Sequence, residues 1–243
     1  MSVVRQKSIT VYKVWDAPRR VFHWLNLLLI ILLTVIGLIM MFKPELGISG
    51  LSAKIGIKKL HVIIGYVFAT NLCLRILWGL FGDKHFQLGS RLSSYQEIKQ
   101  YQQLVNNETT TNYIGLNPIG KWSVVIMFSL MFVVMCSGLI RAGTDIYLPP
   151  FGGAVQIYLA DSNVTPSSIQ PYDDEGVNPV AMADIRQLKK VAGLIHQASV
   201  YTLLLTILLH VIGVIRIERG SQPGIVSAMI SGKKWLINKE KSS

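Results

Sequence analysis

Four stretches of this 243-residue chain, at about residues 21–42, 60–81, 120–140 and 191–217, are nearly unbroken runs of apolar side chains. Each has about the twenty residues that a helix needs to cross the hydrocarbon layer of a bilayer. No water is present in that layer to satisfy backbone N–H and C=O groups, so a single apolar run of this length crosses as a helix bonded within itself. The expectation is an all-α membrane protein: a four-transmembrane-helix bundle forming one membrane domain over residues 1–243. Composition agrees, with 51% hydrophobic and 15% charged residues and a mean hydropathy of +0.43, a balance rare among soluble domains. Residues 1–20 are polar and basic, too long and too mixed for the charged start of a cleaved signal peptide. No small-residue cleavage site follows the first run, so that run is expected to be retained.

The formal charge of +11 could suggest nucleic acid, but no soluble core remains to carry a basic binding face once the apolar runs are set aside. Its distribution points elsewhere. The N-terminus, the second loop and the C-terminal tail, counted with the adjoining helix-end residues Arg75, Lys121 and Arg216, together hold 16 Lys and Arg, against 8 in the first and third loops. Lys and Arg gather on the cytoplasmic side, so both termini are expected in the cytoplasm, in a bacterial inner membrane. Trp24, Trp78 and Trp122 fall at helix ends assigned to that face, where an interfacial indole ring is stable. Cys73 and Cys136 lie inside apolar runs and read as small buried hydrophobes. No Cys-x-x-Cys-His occurs, so no covalently attached haem is expected.

The cytoplasmic connection, residues 82–119, contains a helical stretch around Tyr95 to Val105. His85 in that loop reads as a surface residue. The outer loop, about 141–190, carries Pro149, Pro150, Pro166, Pro171 and Pro179 and an acidic run at Asp173, Asp174 and Glu175. A loop of this length often carries function. The acidic run is either ordinary solvated charge or a docking surface for a basic partner.

Four of the five histidines lie within apolar runs: His23, His61, His196 and His210. A polar side chain inside a membrane is costly and usually has a function. His196 and His210 stand fourteen residues apart in the fourth run, about four turns, so on one helix they share a face about 21 Å apart. With the orientation above, His61 and His196 match in depth on the outer side, and His23 and His210 on the inner side. Two facing imidazoles at equal depth between neighbouring helices form a cage for haem iron with both axial positions filled. Such an iron has no open site for oxygen or substrate and passes electrons. A zinc site would gather its ligands at one depth, whereas these are split between two.

Nearby residues suit such a cage. Gly37, Gly65, Gly138 and Gly213 could let a flat macrocycle approach the backbone, or could serve close helix packing. Arg19 and Arg20 could meet propionates of the inner group, and Arg75 and Arg141 could do likewise near their helix ends, or each could reach lipid phosphate.

Taken together, these residues resemble the bacterial cytochrome b561 family, which includes the cytochrome b subunit of nickel-iron hydrogenases. The resemblance rests on the opening Trp15, Asp16, Pro18, Arg20, Phe22, His23 and Trp24; on Leu60, His61, Gly65 and Tyr66, followed by Arg75, Trp78, Gly79 and Gly82; on Asn117, Pro118 and Gly120; on the His196 and His210 pair; and on the tail Ala228, Met229, Gly232 and Lys233. It spans nearly the whole chain. It implies that His23, His61, His196 and His210 ligate two b haems in the pairing reached above, and that electrons move between the quinone pool and a periplasmic redox partner. Many members have His before Asn-Pro where this chain has Leu116, which makes a c-type cytochrome as good a partner as hydrogenase subunits. The expected function is that of an electron-transfer subunit of a membrane oxidoreductase with no catalytic residue of its own. A stand-alone quinone oxidoreductase acting on a small molecule such as superoxide, and a membrane anchor without redox work, are the competing readings.

Overall fold

The computed structural model describes residues 9–81, 92–107, 113, 115–220 and 223–237. His85 lies outside them. In chain order the elements are strand β1 (Ile9–Lys13), helices α1 (Ala17–Met41), α2 (Leu51–Phe81), α3 (Tyr95–Asn106), α4 (Pro118–Ile146), α5 (Gly152–Leu159), α6 (Pro179–Arg219) and α7 (Ile225–Ser231), and strand β2 (Lys233–Ile237), with a short 3₁₀ turn at Pro166–Ser168. Among the described residues, α1, α2, α4 and α6 are long and apolar enough to cross a membrane. They are the four crossings expected. Their flanks carry exposed apolar side chains, such as Leu28, Ile63 and Leu205, as surfaces solvated by lipid tails require.

Three of these helices start on the same chemistry. Asp16 accepts the Arg19 N–H at 3.0 Å, Asn117 accepts the Gly120 N–H at 2.7 Å, and Asn178 accepts those of Val180 and Ala181 at 3.0 and 3.2 Å. Each side chain satisfies donors that a helix start leaves orphaned. A proline follows within two residues, at Pro18, Pro118 and Pro179, where its missing N–H costs nothing.

The chain groups into two compact units, residues 1–24, 77–127 and 205–243 in the first and residues 25–76 and 128–204 in the second. In the first, β1 and β2 pair antiparallel from Ile9 with Ile237 to Lys13 with Lys233, so the N- and C-terminal segments meet at one end. Gly232 makes the junction: its φ is +79°, and a Cβ there would come within 2.7 Å of the Trp15 carbonyl oxygen. Glu218, at the end of α6, accepts the N–H groups of Gly224, Ile225 and Val226 at 2.7 to 3.0 Å and so holds the start of α7. Lys234 is buried and donates to the Tyr113 carbonyl at 2.9 Å. Burial pushes its ammonium below the usual lysine range, with the Glu218 carboxylate opposing.

In the second unit, Leu29, Phe68, Leu72, Met131 and Leu203 are buried between the helices. Asn71 donates to Asn26 at 2.6 Å, and Asn26 reaches the Met131 sulfur at 3.6 Å; such polar links join helices where water is absent. The helices run further than hydropathy indicates. α4 continues to Ile146 and α6 begins at Pro179, so the outer loop spans 147–178 and not 141–190. The extra turns stay helical because their polar groups have partners, with Thr144 donating to the Ile140 carbonyl at 3.0 Å and Asp145 paired to Arg141 at 3.2 Å. The loop has its own small core of Val155, Leu159 and Ile169 against Ala181 and Ile185 of α6.

A Gly232→Ala chain must either leave the left-handed backbone or push the Trp15 carbonyl away, at a cost of about 1–3 kcal/mol. Limited proteolysis should then cut the β2 tail faster than in the unsubstituted chain, with helical circular dichroism unchanged.

Candidate functional site

The site in the second unit is built from α2, α4 and α6. His61 of α2 and His196 of α6 face one another, ring centroids 6.5 Å apart and planes at 76°. Beside them is a cavity of about 410 Å³ bordered by Gly37, His61, Gly65, Gly138, Arg141 and His196, among others, within the range of sites that enclose small molecules.

Local sequence in α4 decides how His196 presents itself. Its Nδ1 lies 3.2 Å from the Val134 carbonyl and 3.1 Å from Ser137 Oγ. Ser137 donates its own hydrogen to the Val133 carbonyl at 2.7 Å, so the serine oxygen accepts from the ring. A carbonyl accepts as well. The hydrogen-bond network therefore assigns the proton to Nδ1 and leaves the Nε2 lone pair free. Gly138 makes this approach possible, because a Cβ there would sit 3.2 Å from His196 Cε1. The His61 Nδ1 is buried with no hydrogen-bond partner among the described residues.

The other glycines separate in role. A Cβ on Gly37 would touch His61 Cε1 at 3.9 Å, ordinary contact, whereas one on Gly65 would meet no atom within 4 Å. No neighbouring helix is seated on Gly65; it borders open cavity. Gly213, three residues beyond His210, likewise faces open space.

The first unit holds His23 of α1 and His210 of α6, and the Trp24 ring stands edge-on to His23 at 5.4 Å. Of the two pairs expected from depth, the His61 and His196 rings face one another, and His23 and His210 lie in one unit. The arginines expected beside them have protein partners. Arg19 is buried, with Nε 3.8 Å from Asp16 Oδ1 and its guanidinium 5.9 Å from the Trp15 ring. Arg20 donates to the Ile230 carbonyl, one residue from where Trp24 Nε1 donates to Met229 at 3.0 Å. Arg75 lies 5.4 Å over the Phe128 ring.

Sequence reasoning missed a charged cluster beside the first histidine pair. Lys58, Arg141 and Lys189 all pair with the buried carboxylate of Asp145, and Lys58 and Arg141 also border the cavity. Helical spacing was the available signal: Lys58 precedes His61 by three residues and Lys189 precedes His196 by seven, which puts each on its histidine's face.

Known proteins are similar to this chain in sequence. A probable Ni/Fe-hydrogenase B-type cytochrome subunit of Rhizobium leguminosarum is 24% identical over 98% of this chain and 93% of its own length, and one of Bradyrhizobium diazoefficiens is 25% identical over 93% and 86%. One of Cupriavidus necator is 30% identical over 55% of this chain, a match that spans 59% of that protein. No solved structure matches. The model of the prokaryotic cytochrome b561 family covers residues 14–232, both histidine pairs and the β2 junction included, and the chain belongs to that family.

Proposed function

We propose that this chain is a di-haem b-type membrane cytochrome carrying electrons between quinone and a redox partner at the outer face of the bacterial inner membrane. The observation that carries this is the His61–His196 pair. A metal held between two imidazole nitrogens at the usual distance of about 2.0–2.1 Å from each places the ring centroids about 6 Å apart, close to the 6.5 Å found. Among the described residues no group of three or more His, Cys, Asp or Glu could hold a metal ion. Two imidazoles leave an ion's remaining coordination positions open, and the macrocycle of a haem seated in the adjacent cavity would fill them.

In this reading His61 and His196 would hold one haem b, and His23 and His210 the other. Bound there, the two groups would supply one-electron transfer. The protein's part is orientation. The Val134 carbonyl and Ser137 hold the Nδ1 proton of His196, which fixes the ring and strengthens Nε2 as a donor. One helix, α6, carries a ligand of each pair, His196 and His210. The excess of Lys and Arg on the side of the two termini assigns that side to the cytoplasm. The hydrogenase subunits among the relatives favour a hydrogenase as the outer partner, with a c-type cytochrome serving the same chemistry.

The purified chain should show two b haems by its reduced pyridine adduct spectrum, with His61→Ala and His210→Ala each retaining one. A wild-type chain with no haem contradicts the reading. Gly138→Val should displace the His196 ring and lower haem content toward one per chain, with helicity unchanged.

A further inference from the structure

Asp145 is surrounded by more positive charge than it can neutralise. Its side chain is 7% exposed, and it takes Lys58 Nζ at 3.2 Å, Arg141 Nη2 at 3.2 Å and Lys189 Nζ at 2.6 Å. These cations come from α2, α4 and α6, so one carboxylate joins the ends of three crossing helices. Three positive charges against one negative leave a surplus of two. Uncompensated charge beside hydrocarbon is costly, and the surplus calls for an anion.

Position says where the anion belongs. Lys58 and Arg141 border the His61–His196 cavity, and Arg141 acts electrostatically on both imidazoles. Its Nε is a buried donor with no partner among the described residues. Tyr172 of the outer loop, which does not border the cavity, covers the lysines: its ring centroid lies 5.0 Å from Lys58 Nζ and 5.5 Å from Lys189 Nζ, and its hydroxyl accepts from Lys58.

Resting on the bis-histidine reading above, we propose that Asp145 is a positioning residue that gathers Lys58, Arg141 and Lys189 beside this cavity, where their surplus charge binds the carboxylates of the group held there and raises its reduction potential. Reduction adds one negative charge to that group, so each added positive charge nearby favours the reduced form. Asp145→Asn releases the cations that Asp145 gathers and Lys189→Gln removes one of them, so both diminish the positive charge beside the cavity. Lys189 is partly exposed and does not border the cavity, so its substitution keeps the question open to measurement should Asp145→Asn fail to fold.

The experiment is an optical redox titration of the full chain in lipid nanodiscs. The midpoint of one haem should move negative in both Asp145→Asn and Lys189→Gln, with the other haem stationary; a positive shift in Asp145→Asn overturns the positioning role. A wild-type chain containing both haems whose midpoints ignore the substitutions overturns this inference alone and gives the cations to lipid phosphate. A wild-type chain without haem overturns the ligand reading and this inference with it.

Discussion

The hydrogen bond from His196 Nδ1 to the Val134 carbonyl, 3.2 Å long, is the contact on which the site depends. An imidazole among apolar helices has two nitrogens to satisfy, and leaving one unmet is expensive. The carbonyl satisfies one and thereby defines what the other can do. The ring reaches it only because Gly138, one turn further along α4, has no side chain in the way. Ser137 adds a second acceptor, having spent its own hydrogen on α4. Three neighbouring residues of α4 thus orient a histidine of α6, and the free Nε2 is left to a ligand.

The same unit solves a charge problem at the helix ends. Polar groups that close to hydrocarbon persist only when paired, and Asp145 supplies the pairing for cations on three helices. This cluster and the small core under the outer loop extend α4 and α6 beyond their apolar runs. A scaffold tied in this way holds ligands still, and small reorganisation suits electron transfer.

Chemistry dictated by solvent was the most legible part of the fold. Four apolar runs became four long helices, and Tyr95–Asn106 became a helix begun by the Ser94 and Glu97 capping box. The β1–β2 ribbon was not legible, because it joins residues more than two hundred positions apart and neither strand declares a partner. Helix ends were misplaced wherever a charged residue was read as the end of a crossing. Arg141 lies mid-helix because Asp145, four residues on, compensates it. At the site, depth along the crossings matched His61 with His196, whose rings the helices bring face to face. What the arginines touch was not legible: Arg19 turns to Asp16 and Trp15, Arg20 to the α7 backbone and Arg75 to Phe128, contacts that follow from packing and not from spacing.

The central claim is that each histidine pair would supply both protein ligands to one haem iron. The most direct measurement is the low-temperature electron paramagnetic resonance spectrum of the oxidised chain in membranes, with a count of spins. The account predicts low-spin ferric signals integrating to two per chain, unaltered by azide or cyanide. A high-spin signal, or one converted by these ligands, would show an open coordination position and contradict it.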